Sequence, residues 1–251
     1  MRLTFSASAK VLFVLMFSAC MSPEGSGFDT RQGLSAASDA VKAVTVSDAS
    51  LRTASKNMMT QMDAEGRVAP ESDKYGRRLA NLTKNLTKED GLNLNFKAYL
   101  ADDVNAFATP DGSVRVFSGL MDLMTDDELL FVIGHEIGHV KLGHSLKQTR
   151  TAYLASAAAK VANASGLNSQ QLADLGTKFV NAQYSQSQES ESDAYGVKFL
   201  KRHNYNLPAA VSGMRKLADM EGSAAGKGMS LFSTHPDAKQ RAKKIQELIS
   251  R

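Results

Sequence analysis

The chain of 251 residues contains one cysteine, Cys20, so no disulfide can form within it. Neither sign of charge dominates. Thirty Lys and Arg stand against 26 Asp and Glu, and the two signs are interspersed. That balance lacks the basic footprint of a nucleic-acid-binding protein. Long apolar runs are also missing. Val11 to Phe17 is seven residues, too short to cross a bilayer as a helix. The alanine-rich stretch Ala152 to Ala164 is interrupted by Lys160 and flanked by Arg150, which predicts a packed helix rather than a span. Acidic residues are absent from Val140 through Ala173. What remains is a globular composition, 43% hydrophobic and 22% charged, with room for one sizeable core or two small ones.

The residues that carry chemistry are His135-Glu136-Ile137-Gly138-His139, an H-E-x-x-H pattern. On a helix, positions i and i+4 lie about 40° apart and one turn up, so both histidines can face one metal ion. Glu136 sits about 100° round the axis, placed to meet a water rather than the metal. This is the pattern of a zinc hydrolase whose glutamate is the general base. The ordinary alternative is a chance match in a solvated helix. Against it, Leu129, Leu130, Val132, Ile133, Ile137 and Val140 surround the motif, a costly setting for two histidines and a carboxylate without a task. Thr125 and Glu128 read as a capping box, which starts the helix near Asp126; Gly143 would stop it.

The third ligand follows by elimination. His144 is five residues after His139, out of register for a metzincin histidine at six, and is expected at a helix end or on the surface. The acid-free stretch excludes a glutamate some twenty residues downstream. Asp174, Glu189, Glu191 and Asp193 remain. Asp174 looks like a surface helix residue. Glu189 and Asp193 are i and i+4 on one helical face, and Glu191 points elsewhere. Glu189 is therefore assigned to the metal. Asp193 is assigned to hold a motif histidine by its other ring nitrogen. A solvated acidic helix face is the plain alternative for this cluster.

Upstream, Val46–Glu65 and Ser72–Leu86 read as helices; their methionines and leucines are expected in the core. Leu92–Ala101 alternates as a strand. Val104–Ala108, a turn at Thr109-Pro110-Asp111-Gly112, and Val114 to Ser118 complete a small antiparallel sheet. Asn105, Ala106 and Phe107 are candidates for pairing with an extended peptide, or they belong to an ordinary hairpin. Leu207-Pro208 starts a later helix, Gly222 to Gly228 reads as a flexible loop, and Thr234-His235-Pro236 opens a last helix to Ser250. His235 is expected to plug a fourth metal position, to stabilise an oxyanion, or simply to start a helix.

At the N-terminus, Arg2 and Lys10 flank the apolar run, and Phe17-Ser18-Ala19-Cys20 ends it. The pattern resembles a bacterial lipoprotein signal (residues 1–19), which implies lipidation of Cys20 and a membrane anchor. Met21, rather than Asp, after the cysteine favours the periplasmic face of the outer membrane. Residues 20–44 are small and polar, a tether, and residues 45–251 are the expected folded domain.

H-E-I-G-H followed about fifty residues later by Glu189-Ser190-Glu191-Ser192-Asp193 resembles the HtpX and CAAX-prenyl-protease family of zinc metallopeptidases. The similarity extends to Val104–Ala108, Ser118–Met121, Thr234-His235-Pro236 and Arg241. Relatives often carry an arginine shortly before the ligand glutamate, where Tyr184 to Gln188 has none. The resemblance implies an α+β, mainly helical, gluzincin-type fold with the small sheet beside the motif helix. It also implies one Zn2+ per chain and endoproteolysis of misfolded or damaged envelope proteins. Unfolded proteins are the expected partners, with outer-membrane assembly factors or other proteases as further ones. The competing reading is a lipid-anchored binding protein or chaperone with a plugged, rarely active site. A closed structural zinc site is a third.

Overall fold

Ser47 accepts a hydrogen bond from the Ser50 amide and so caps the first described helix, α1 (Asp48–Glu65). The computed structural model describes residues 46–156, 166–221 and 231–250. The expected signal, Cys20, the tether, the second half of the alanine-rich stretch and the glycine loop lie outside the described residues.

The methionine stripe of α1 is core, as expected. Leu51, Ala54, Met58 and Met59 are buried together with Leu175 and Phe179 of α6 (Ser169–Val180). Asp73 caps α2 (Lys74–Thr83). The expected strand at 92–101 is divided. Its first part pairs locally, as β1 (Lys88–Glu89) with β2 (Leu92–Asn93), across a turn with positive φ at Asp90 and Gly91. Its second part is β3 (Asn95–Tyr99).

β3, β4 (Ala106–Ala108) and β5 (Ser113–Phe117) form a sheet in the order β3-β5-β4. The expected antiparallel hairpin is β4 with β5, closed by the turn at 109–112. β3 differs from expectation, running parallel to β5, with Asn95 opposite Ser113 and Tyr99 opposite Phe117. Residues 100–105 carry the chain past the sheet, so β3 meets β5 from the far side and in the same direction. Its outer edge is covered by residues 67–69, leaving β4 as the outer strand next to the motif helix.

Asp63 ties α1 to this sheet. It accepts two bonds from Arg115, at 2.8 and 2.9 Å, and one each from Lys97 and Tyr99 at 2.7 Å. Burial alone would raise its pKa, but these donors and the Arg115 charge hold it below the usual carboxylate range. Arg115 is only 2% exposed. Asp63→Asn leaves that guanidinium buried without a counter-charge and is expected to destabilise the fold by about 3 kcal/mol. Urea unfolding measures it. The contribution is whole above the ordinary value of 3.8 and is lost as pH falls through the lowered native value. Parent and variant should therefore converge in acid.

α3 (Ser118–Leu123) leads to the motif helix, α4 (Asp126–Lys141), and the Thr125–Glu128 capping box is present. α4 is buried on every side from Glu128 to Val140. It packs closely on α7 (Gln186–Arg202) and on α8 (Pro208–Glu221). Glycines permit the approach to α7: a Cβ on Gly134 would stand 2.5 Å from the Phe199 ring, and one on Gly196 2.9 Å from Phe131. Gly143, at φ +77°, ends α4 and redirects the chain into α5 (His144–Ala155). The last part is the short α9 (Leu231–Thr234) and α10 (Ala238–Ile249), so His235 lies between two helices rather than opening one.

Candidate metal centre

α4 sets His135 and His139 one turn apart on a rigid, buried backbone, with their Nε2 atoms 3.0 Å from each other. α7 brings the carboxylate. Ser185 caps that helix, and Glu189 lies in its first turn, held inward against α4. Its Oε1 is 3.4 Å from His139 Nε2, and its Oε2 is 3.6 Å from His135 Nε2. His235 joins them, with Nδ1 2.9 Å from Glu189 Oε1 and 3.4 Å from His135 Nε2. One donor atom from each of these four buried residues lies within 4.8 Å of the other three.

In a tetrahedral zinc site with bonds of about 2.0–2.2 Å, neighbouring donors stand about 3.3–3.6 Å apart. Three imidazole nitrogens and one carboxylate oxygen are the donor types such an ion takes, and the separations of 2.9–3.4 Å given above for them are close to that spacing, a few tenths of an ångström tighter at two pairs. Glu136 stands beside the cluster and outside it. It is 1% exposed, neither of its oxygens has a hydrogen-bond partner among the described residues, and Oε1 is 3.6 Å from His235 Nε2. Burial raises its pKa. A fully buried carboxylate with no hydrogen bond is costly, which marks it as a group kept for chemistry.

The carboxylates are held ionised from α10. Arg241 donates to Asp193 at 2.6 and 2.9 Å, and its Nη1 is 2.6 Å from Glu189 Oε2. Asp193 Oδ1 is in turn 3.0 Å from His135 Nδ1, the contact expected of it. Burial opposes the charge on Asp193, but Arg241 and His135 outweigh it and bring the pKa to about 2. Glu189 is likewise held far below the usual range against its burial, by His235 and Arg241. Burial pushes His139 well down, keeping its ring neutral. His235 moves up despite burial because Glu189 and Glu136 face it.

The structure therefore brings His135, Glu136, His139, Glu189, Asp193 and His235 together. Asn105, Ala106 and Phe107 are nearby but buried. Asn105 and Phe107 share a small void with Tyr184, Thr234 and His235, and the Val104 carbonyl accepts from the Leu231 amide at 3.0 Å. The segment from Leu231 to His235 thus lies against the start of β4. Tyr184 pins it by donating its amide to the Thr234 carbonyl at 3.0 Å.

His144 stands at a helix end, as one expectation had it, but it is not on the surface. It is 6% exposed, and its ring packs on His139. The helical extrapolation fails there because Gly143 turns the chain. That glycine was the available signal. Tyr184, stacked on His139 with ring centroids 3.8 Å apart, had none. The guanidinium that pairs with Glu189 and Asp193 is that of Arg241, about fifty residues further on.

The profile of Peptidase family M48 matches residues 70–249. The chain is 40% identical to the metalloprotease YcaL of Escherichia coli over 89% of each protein. It is 38% identical to the metalloprotease LoiP of the same organism, over 96% of this chain and 97% of LoiP. A more distant match, 30% identical over 57% of the chain and 29% of the relative, is the mitochondrial metalloendopeptidase OMA1 of Arabidopsis thaliana.

Proposed function

The chain belongs to peptidase family M48 and is a metalloendopeptidase; on that premise we propose that it is a zinc enzyme that clears misfolded or damaged proteins of a bacterial envelope. The observation that carries the zinc reading is the donor cluster of His135, His139 and Glu189, with Glu136 buried and unbonded beside it. A zinc ion held by those three would polarise both water and the scissile carbonyl. Glu136 takes the proton of the attacking water and delivers it to the leaving amine. Asp193 fixes the His135 ring, and Arg241 keeps Asp193 and Glu189 charged. An extended peptide would pair with β4 along Asn105, Ala106 and Phe107, which requires the Leu231–His235 segment to lift.

The envelope assignment is supported by the sequence pattern of residues 1–20, with Cys20 as the lipid anchor on the periplasmic face of the outer membrane. Among the described residues no helix is long and apolar enough to cross a membrane. Unfolded proteins are the substrate class, and outer-membrane assembly factors or other proteases are the partners to look for. The test measures bound zinc and cleavage of an unfolded protein by the full chain, alongside its protection of that protein from aggregation. Zinc with cleavage supports the enzyme. Zinc with protection and no cleavage supports the binding-protein reading.

That second reading is favoured by the place of His235, whose Nδ1 occupies the fourth donor position. As a plug it keeps the open, competent state in the minority. His235→Ala is then expected to raise cleavage about tenfold. A fall of about 10²-fold in kcat would instead make His235 an oxyanion stabiliser.

A further inference from the structure

His139 has a second neighbour whose geometry settles more than packing. Its Nε2 faces Glu189 and His135, so its Nδ1 points to the opposite side of the ring. There it meets His144 Nδ1 at 3.2 Å. Between two neutral imidazoles at that distance one nitrogen carries the proton and the other accepts it. The far side of His144 decides which. His144 Nε2 is 3.2 Å from Glu191 Oε2, and an ionised carboxylate can only accept. His144 therefore carries its proton on Nε2, and its Nδ1 is left as the acceptor. His139 must donate from Nδ1, and its Nε2 lone pair is turned to the donor cluster. Ser192 Oγ, 3.3 Å from His144 Nδ1, carries a rotatable proton that can turn away from that atom, so it does not reverse the order.

We propose that His144 and Glu191 are positioning residues of the metal centre, a histidine–carboxylate pair that fixes the tautomer and ring orientation of His139 as Asp193 does for His135. The proposal rests on the reading of His139 as a metal ligand. It gives α7 three carboxylates with three tasks: Glu189 in the donor cluster, Asp193 on one histidine directly, and Glu191 on the other through His144. Glu191 is the only one of the three that reaches solvent, with its side chain 58% exposed. The chain from Glu191 to His139 thus runs from the surface to the buried site.

The test is zinc affinity of the full chain by competition with a chelator, with thermal unfolding of each metal-free protein alongside. His144→Leu removes the acceptor and is expected to weaken zinc binding about 10- to 100-fold. Glu191→Ala, at an exposed position that does not threaten folding, is expected to weaken it several-fold. His144→Asn, which can place its carbonyl oxygen where Nδ1 stood, should recover most of the loss. A merely structural role would lower the metal-free unfolding temperature and leave zinc affinity alone. Parent-like affinity in both His144→Leu and Glu191→Ala overturns the proposal, as does an Asn variant no better than Leu. If His144→Leu does not fold, Glu191→Ala alone decides. If the parent binds zinc but His139→Ala binds it equally well, the ligand reading of His139 has failed, and the pair has no metal to position.

Discussion

Glu136→Gln should keep its zinc and lose turnover by about 10³-fold, the middle of the range a positioned proton-transfer group supplies. Zinc is retained because the cluster of donor atoms comes from His135, His139, Glu189 and His235, and Glu136 stands outside it. Turnover is lost because the amide is close in size and shape to the carboxylate but cannot accept the proton of the attacking water. The same substitution should leave the fold as stable as before, or more so. Both Glu136 oxygens are buried without a hydrogen-bond partner among the described residues, so the fold bears the cost of burying that carboxylate and gains no hydrogen bond from it. A stabilised, metal-loaded, inactive variant is the signature of a residue kept for activity. Zinc content, peptide cleavage and thermal unfolding of the two proteins together check it. Retained cleavage would remove Glu136 as the base.

Arg241→Leu should be the most destabilising single change near the site. Arg241 is buried, and its guanidinium is shared by Asp193 and Glu189, both buried as well. Removing it leaves two carboxylates in a low-dielectric interior, Asp193 without its main counter-charge and Glu189 with His235 but without its arginine. Breaking one buried pair in this way costs about 3–5 kcal/mol, and here one side chain serves two partners. The expected loss at neutral pH is therefore at the top of that range. Added zinc should recover part of it, since a cation in the donor cluster compensates Glu189, although it leaves Asp193 without its arginine. Chemical unfolding of metal-free and zinc-loaded protein measures both effects. A loss under about 1 kcal/mol would show that Arg241 is a spectator and that solvent reaches the carboxylates.

Much of the centre was legible because its signals are local. A capping box at Thr125 and Glu128, an i, i+4 pair of histidines and an i, i+4 pair of acids are all properties of one helix at a time. Helix geometry then dictates that each pair shares a face. The absence of acids between Val140 and Ala173 narrowed the third ligand further. Other parts were legible only in outline. The strand at 92–101 was found, but its split into β2 and β3 and the parallel pairing of β3 with β5 depend on where residues 100–105 take the chain. Alternation of side chains reports which residues share a face and carries no information on strand direction.

By itself, then, the sequence determined the motif helix with its Thr125–Glu128 cap, the other long helices in outline, and which histidines and which acids share a face, since each depends on torsions and periodicity within a few residues. Tertiary structure decided which distant groups complete the site. Tyr184 on His139, His144 behind it, Arg241 between two carboxylates and His235 at the fourth position come from four other places in the chain. They meet because α4 and α7 can pack as closely as Gly134 and Gly196 permit, and because Gly143 turns His144 back toward the motif helix. The physical reason is one of range. Backbone geometry acts over a turn of helix, whereas a buried charge or a ring nitrogen takes its partner from whatever the packing brings within about 3 Å.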